Sequence, residues 1–140
     1  FAQGLMPAEL EGGLPDALRS LADYAREALG VECEVRCRKG SAAPDELACL
    51  HLYRIAQEAV NNAVRHGKAR RVRIRLGSEG GRLVLSIEDD GVGLPNQKRR
   101  KPGMGLGIMQ YRARMLGASL VVRRGSSGGT AVVCGCPVKA

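Results

Sequence analysis

The chain has 140 residues, 44% hydrophobic and 26% charged, which predicts a single soluble globular domain. No apolar run approaches the roughly 20 residues of a membrane-spanning helix, and the N-terminus lacks the charged-then-apolar pattern of a signal peptide. The net charge of +8 favours an anionic partner, but with no Trp, one Phe and three Tyr the chain has few platforms for base stacking. Because the chain begins at Phe1, we expect it to be a piece of a longer protein.

The five cysteines are odd in number and lack paired CxxC spacing, which is typical of a reduced, cytoplasmic compartment. Cys33 and Cys37, like Cys134 and Cys136, are separated by an even number of positions, so each pair shares one face of a strand. Core packing is the favoured role of these side chains, and metal binding is a weaker alternative.

Taken in chain order, the periodicity of apolar residues predicts eight elements after a Gly- and Pro-punctuated segment at 1–13. Helical spacing alternates with stretches in which every second residue is apolar. Pro15, Gly30 and Gly67 stand where helices begin and end. Helices are predicted over 14–29, 41–67 and 105–117, and strands over 31–39, 70–77, 82–89, 119–125 and 129–138.

This order predicts an α/β two-layer sandwich, with a mixed, mostly antiparallel sheet covered on one face by about three helices. The periodicity also predicts which helix residues are buried. On the long helix they are Leu52, Ile55, Ala56, Ala59, Val60, Ala63 and Val64. The last helix is predicted to be amphipathic, with Ile108, Met109, Arg112, Met115 and Leu116 on one side.

The polar edge of the long helix carries an unusual row of side chains. Glu58 and Asn62 are four residues apart and lie on one side of the helix, and Arg65 and His66 follow one turn later. Taken alone, such a row is more typical of a solvated helix surface. Asn61 and Asn62 are nevertheless unfavourable inside a helix, so ligand binding is a reason for them to be there.

Two glycine-rich segments follow. "IEDDGVGLP", residues 87–95, ends a strand in two carboxylates and then places Gly91 and Gly93, which suits either a simple turn or the close approach of a ligand to the backbone. "GMGLG", residues 103–107, opens a helix whose free N–H groups favour phosphate. It does not follow a strand in a βαβ unit, so the dinucleotide fingerprint is not met.

The succession "EAVNNAVRH", "DDGVG" 22 residues later, "GMGLG" and "GGT" is specific. It resembles the catalytic ATP-binding domain of sensor histidine kinases, of the superfamily shared with gyrase, a heat-shock chaperone and mismatch-repair ATPases. "RIAQEAVNNAVRHG" and "GMGLGIMQYRARMLGASL" are most similar to the nitrate-sensor subfamily, which partners NarL-type response regulators. "LMPAELEGGLPDALRSLADYA" resembles the junction with the dimerisation helices. The resemblance implies a linker remnant at 1–13 and an ATP-binding catalytic domain at 14–140.

The resemblance also implies a role for each motif residue. Asn62 would hold Mg²⁺ at the ATP phosphates, and Glu58 would polarise the attacking group. Asp89 would accept a hydrogen bond from the adenine amino group, and the Thr130 hydroxyl would share a water molecule with adenine and Asp89. Asp90 is expected to be solvated. The other implied ATP-binding residues are Arg65, His66, Gly91, Gly93, Gly103, Gly105, Leu106 and Gly107. The basic run Lys98, Arg99, Arg100 and Lys101 lies where the family has its ATP lid, but a solvated loop is an equal reading.

The implied reaction is transfer of the ATP γ-phosphoryl group to a histidine of an upstream dimerisation domain. Neither His51 nor His66 matches that acceptor, so this chain alone is expected to bind ATP without phosphorylating itself. The implied setting is a cytoplasmic domain of a homodimeric kinase with a response regulator as partner and no nucleic acid; an inner-membrane anchor in the parent protein stays open. The alternatives are an anti-sigma-factor serine kinase, a basic nucleic-acid-binding module and a degenerate, non-catalytic interaction domain.

Overall fold

The computed structural model describes residues 10–38, 44–93 and 105–138, and within them all eight predicted elements are confirmed. Observed boundaries lie within a few residues of the predicted ones, except that the long helix begins later than expected. The elements are α1 (Leu14–Ala28), β1 (Glu32–Cys37), α2 (Glu46–Arg65), β2 (Arg71–Glu79), β3 (Arg82–Asp89), α3 (Leu106–Met115), β4 (Ser119–Arg124) and β5 (Thr130–Pro137).

The five strands form one mixed sheet in the order β1-β2-β3-β5-β4. β1 pairs with β2 in parallel, because α2 carries the chain back across the sheet between them, and every other pairing is antiparallel. β5 inserts between β3 and β4, which places Ala131 opposite Glu88. The start of β5 therefore lies beside the end of β3, where the acidic segment begins.

The core lies between the helices and one face of the sheet. Asp45 is the N-cap of α2, and its carboxylate accepts a hydrogen bond from Ala48 N at 2.8 Å. Leu10, inside the segment expected to be a linker, is also buried in this core. Of the predicted α2 stripe only Val64 is not fully buried. The largest fully buried side chains are Leu14, Leu18, Leu52, Ile55, Ile74, Leu83, Leu85, Ile87, Met109, Val60, Val72 and Cys134.

The predicted buried face of α3 is partly wrong. Met109 and Ala113 are its buried residues, whereas Ile108 and Met115 are 52% and 53% exposed. The helix has ten residues and packs along a narrow stripe of residues four apart, so apolar positions on either side of this stripe stay in solvent. Periodicity alone could not distinguish this narrow contact from a broad one.

The other face of the sheet is charged. Arg71 pairs with Glu32 at 2.9 Å, and Arg73 with Glu34 at 3.6 Å, across the parallel strands. Because strand residues alternate between the two faces, some of the arginines that make the chain basic lie on this surface and form ion pairs there, outside the core. Within residues 10–38, 44–93 and 105–138, no helix is both long and apolar enough to cross a membrane.

Candidate nucleotide-binding site

A cavity of about 430 Å³, including space open to solvent, lies between α2, the end of β3, the start of β5 and the start of α3. Its walls are mostly apolar, and its polar groups come from the segments that the motifs singled out. The lining residues are Ala59, Asn62, Ala63, His66, Gly67, Ile87, Asp89, Gly93, Leu106, Met109, Val122, Thr130 and Val132. The helix edge, the acidic turn and the described part of the glycine stretch therefore converge on one cleft.

Asp89 lies at the end of β3 with only 7% of its surface exposed. Its Oδ1 accepts a hydrogen bond from Gly91 N at 2.7 Å and a longer one from Thr130 N at 3.4 Å. Burial raises the pKa of this carboxyl, and the two backbone N–H groups oppose that increase. Within the part of the chain that the structure describes, the hydrogen bonds to the Asp89 side chain reach Oδ1, so one side of the carboxylate is tied to the fold.

Glycines let the backbone close around Asp89. A Cβ on Gly91 would overlap the carbonyl oxygen of Gly67, which accepts a hydrogen bond from Val92 N at 2.8 Å. Gly93 has φ +83°, a conformation that only glycine adopts readily, and a Cβ there would come within 3.0 Å of Gly128 O. Both predicted glycines of this turn therefore occupy positions that require glycine.

Two further glycines, Gly67 and Gly129, hold the site, although no sequence motif assigned either of them to it. Gly129 packs so closely on Asp89 that a Cβ would overlap both its carbonyl oxygen and its Oδ1. Gly67 follows α2, donates to Asn62 O at 3.0 Å and anchors the acidic turn through Val92. The "GGT" motif was the available signal for Gly129, whereas Gly67 could be interpreted only as a helix stop.

Asp90 keeps contact with solvent, as expected, but its side chain is also bonded to the start of β2. It is half-buried, and its Oδ1 accepts hydrogen bonds from Arg70 N at 2.8 Å and Arg71 N at 2.9 Å. These backbone donors, Arg71 N first, lower the pKa of Asp90. The side chain ties the acidic turn to the start of β2. Sequence spacing could not reveal this contact because its partners are about 20 positions away.

A second, wider cleft of about 760 Å³ adjoins the first and shares Asn62 and His66 with it. Asn62 and Glu58 are half-buried on the edge of α2, facing the start of α3. Gly105 precedes α3 with φ +73°, and a Cβ there would overlap the Glu58 carboxylate. The lining residues are Glu58, Asn61, Asn62, Arg65, His66, Gly105, Gly107 and Ile108.

The remaining predicted residues differ in how closely the fold holds them. Leu106 is half-buried and lines the inner cavity, whereas Arg65, His66 and Gly107 are exposed along the outer cleft. Gly103 and the basic run Lys98, Arg99, Arg100 and Lys101 lie outside the described residues.

The other histidine and the cysteines lie outside this site. His51 is buried, and its Nδ1 is 3.2 Å from Arg112 Nη1 on α3; burial, with the Arg112 charge second, lowers the pKa of this imidazole. All five cysteines are free thiols, and burial raises the pKa of Cys33 and Cys134 to about 11, as expected for packing residues.

The chemistry of the cleft suits a metal held jointly with phosphates. Within the described ranges no group of three or more His, Cys, Asp or Glu side chains is placed to hold a metal ion. Asn62 provides one amide oxygen and Glu58 a carboxylate beside it. Mg²⁺ accepts such sparse protein ligation because substrate phosphates and water complete its oxygen shell.

Comparison with known families identifies the architecture. Residues 49–140 match the family described as histidine kinase-, DNA gyrase B-, and HSP90-like ATPase. The chain is 35% identical over 124 residues to the sensor protein NarQ homolog of Haemophilus influenzae, covering 87% of this chain and 22% of that protein. It is 40% identical over 116 residues to the methanol utilization control sensor protein MoxY of Paracoccus denitrificans, covering 80% and 25%. The chain thus spans about a quarter or less of these relatives.

Solved structures share the fold at lower identity. The ATP-binding domain of PrrB from Mycobacterium tuberculosis superposes with a TM-score of 0.73 at 23% identity, covering 91% of this chain and 95% of that one. The blue-light activated histidine kinase of Erythrobacter litoralis has a TM-score of 0.76 at 23% identity, covering 89% and 42%. The predicted two-layer α/β sandwich is confirmed by these likenesses.

Proposed function

The chain belongs to the family of histidine kinase-, DNA gyrase B- and HSP90-like ATPases, and we propose that it is the ATP-binding catalytic domain of a sensor histidine kinase. In this proposal it transfers the γ-phosphoryl group of ATP to a histidine of an upstream dimerisation domain. The observation that carries the proposal is a buried carboxylate, Asp89, in an apolar cavity that adjoins a polar cleft at Asn62.

At the base end, Asp89 is the acceptor for the adenine amino group. Because Gly91 N and Thr130 N already occupy Oδ1, Oδ2 is the oxygen available to that group. Ala63, Ile87 and Met109 provide the flat apolar surroundings that a purine ring requires. A guanine base would present a carbonyl oxygen at the corresponding edge, and two acceptors would then face each other without a proton between them.

At the phosphate end, the free N–H groups at the start of α3 and the side chains of Arg65 and His66 receive the negative charge. Asn62 is the protein ligand for Mg²⁺, which when bound neutralises phosphate charge. Gly105 and Gly107 keep the backbone open to the phosphates. Gly103 and the basic run at 98–101 belong to the same end in the proposal, through the family resemblance alone.

The transfer step needs one general base. Glu58 beside Asn62 is the residue proposed to accept or orient the proton of the attacking imidazole. The imidazole nitrogen forms a bond to the γ-phosphorus, the bond from that phosphorus to the β–γ bridging oxygen breaks, and ADP leaves. Positioning and charge neutralisation supply most of the acceleration in such reactions.

The partners follow from this assignment. They are ATP, the phosphoacceptor domain and a response regulator; the parent kinase is proposed to be a homodimer, with this domain in the cytoplasm. Residues 1–13 would connect this domain to the dimerisation helices. The buried Leu10 side chain would hold the end of that linker against the catalytic domain.

Calorimetric titration with a non-hydrolysable ATP analogue, with and without Mg²⁺, tests the proposal. We expect saturable binding that Mg²⁺ strengthens and that is at least about tenfold weaker for the GTP analogue. Steeply salt-dependent DNA binding without ATP affinity would instead identify a nucleic-acid module. Acid-labile phosphate on an added upstream helical domain supports the histidine kinase, whereas acid-stable phosphoserine on a protein substrate would favour the anti-sigma-factor alternative.

A further inference from the structure

Glu88 stands beside Asp89 on β3 but faces the opposite side of the sheet, because successive strand residues alternate. It is half-buried, and its Oε1 accepts hydrogen bonds from Ser126 N at 2.8 Å and Ser126 Oγ at 2.5 Å. Ser126 belongs to the turn at 125–129 that joins β4 to β5. One carboxylate oxygen therefore receives two donors from a single residue 38 positions away.

The 125–129 turn reaches the base end of the cavity directly. It is closed by a hydrogen bond from Gly125 N to Gly129 O at 2.7 Å, and Gly125 packs on Glu88, where a Cβ would come within 3.2 Å of Cγ. At its other end Gly129 presses on Asp89, and Gly128 O faces Gly93. The next residue, Thr130, donates the longer of the two backbone hydrogen bonds that Asp89 Oδ1 accepts from the described residues.

We infer that Glu88 is a positioning residue for adenine recognition: by holding Ser126 it keeps the 125–129 turn, and with it Gly129 and Thr130, against Asp89. The inference rests on the proposed ATP site and adds a residue to it that contacts no part of the cavity itself. Without the Glu88 contact the turn keeps its internal hydrogen bonds but loses its attachment to β3 on that face of the sheet. The 3.4 Å bond from Thr130 N, the weaker of the two at Asp89, is expected to be lost first.

The electrostatic surroundings keep Glu88 ionised. The hydrogen bond from Ser126 lowers the pKa of this carboxyl most, and the Arg123 and Arg73 charges on β4 and β2 lower it further. Asp89 and Asp90 follow along the chain, and the Glu88 charge contributes to the raised pKa of Asp89. Charge-assisted hydrogen bonds of this kind are stronger than neutral ones, which suits a fixed attachment.

The test separates the two ends of the ligand. Glu88→Ala, Ser126→Ala and Glu88→Gln are compared with Glu79→Ala, an exposed acid at the far end of the same hairpin, for binding of ATP, adenosine and inorganic triphosphate. For Glu88→Ala we expect about five- to tenfold weaker binding of ATP and adenosine, and triphosphate affinity within about twofold of wild type. Ser126→Ala should give a smaller loss of the same pattern. Glu88→Gln, which keeps an acceptor, should restore most of the affinity.

Equal weakening for all three ligands would show a general loss of structure and overturn the inference. Unchanged adenosine affinity in Glu88→Ala would overturn it as well, as would a Glu79→Ala effect of the same size. If Glu88→Ala does not fold, the comparison of Ser126→Ala with wild type decides by the same criterion. Failure of the wild-type chain to bind ATP would instead refute the proposed function, so the two failures are distinguishable.

Discussion

The base end and the phosphate end of the cleft are constructed differently. The base end is made from strand ends and tight turns, with Asp89 buried and bonded to backbone N–H groups and with Gly129 in close contact. The phosphate end is made from helix edges: Glu58 and Asn62 are half-buried, and Arg65 is exposed. A rigid, desolvated base end suits discrimination between bases, whereas an open, polar phosphate end suits charges that bring water with them.

This difference shows how the two ends of one ligand can be recognised in different ways, one by a rigid surface and the other by charged and polar side chains. Backbone hydrogen bonds and glycine contacts hold the base end in one arrangement, and a change there should act on affinity sharply. The side chains at the phosphate end depend on the charge of the ligand, and a change there should act on the metal dependence of binding. The following substitutions test this comparison.

The largest effect is expected for Asp89→Asn. Its amide oxygen would accept the hydrogen bonds that now reach Oδ1, which turns the NH₂ group toward the adenine amino group so that two donors face each other. We expect ATP affinity in a calorimetric titration to fall about 100-fold or more while circular dichroism shows a folded chain. Asp90→Asn is the matched control because its amide oxygen can still accept from β2. Unchanged affinity in Asp89→Asn would remove the adenine assignment.

Gly129→Ala should be the next largest. The added methyl group overlaps the Asp89 backbone and carboxylate, so the turn must shift away from the cavity. We expect about tenfold or more loss of ATP affinity and about 1–3 kcal/mol lower free energy of unfolding, measured by urea denaturation. Gly107→Ala is the comparison for stability alone, since nothing lies within 4 Å of its Cβ, and it should stabilise α3 by up to about 1 kcal/mol. An equal change in the free energy of unfolding for both substitutions would contradict the proposed rigidity of the base end.

Asn62→Asp should change metal handling more than base recognition. A second carboxylate next to Glu58 provides a stronger ligand for Mg²⁺ but repels phosphate, so the Mg²⁺ concentration that supports half-maximal ATP binding should shift by roughly tenfold. Asn61→Asp, which adds the same charge to the outer cleft alone, is the matched control. Titrations at several Mg²⁺ concentrations measure the shift. If the Mg²⁺ dependence of Asn62→Asp equals that of wild type, the metal role is wrong.

The smallest effect is expected from His51, which lies outside both ends. Because burial and Arg112 lower its pKa, the fold favours neutral imidazole. The resulting stability is complete above the unfolded pKa, about 6.5, and is lost as the pH falls below that value toward the lower folded pKa. The melting temperature of wild type should therefore fall more steeply from pH 7 to pH 5 than that of His51→Gln. The ATP affinity of His51→Gln at pH 7 should be nearly the same as that of wild type. Parallel pH profiles would show that His51 is not a source of acid sensitivity.

The sequence predicted much of the fold and most of the polar residues that meet in the cleft. Strand alternation and helix spacing located all eight elements, since burial on one face imposes a period that is visible locally. The order of the motifs predicted that Asn62, Asp89 and Thr130 lie close together, and all three line the inner cavity. Local patterns failed for α3, where Ile108 and Met115 are exposed, because the width of a packing contact depends on the partner surface.

The contacts that hold the site were beyond local reasoning. Asp90 bonds to the start of β2 and Glu88 to Ser126, yet in the sequence both are simply acids beside Asp89. Gly67 and Gly129 are required by close approach to residues from other elements. A side chain's partner across the sheet depends on strand order, and the insertion of β5 between β3 and β4 sets that order.

The amino-acid sequence by itself determined the elements, the layer arrangement and the family motifs, because periodicity and glycine placement are properties of neighbouring residues. The motif resemblance had already singled out Asp89 among three consecutive acids. Only the tertiary structure decided that Glu88 holds the β4–β5 turn and that Asp90 ties down β2. The reason is physical: strand alternation divides the acids between opposite faces of the sheet, but the neighbours that each one meets there are brought in by long-range pairing.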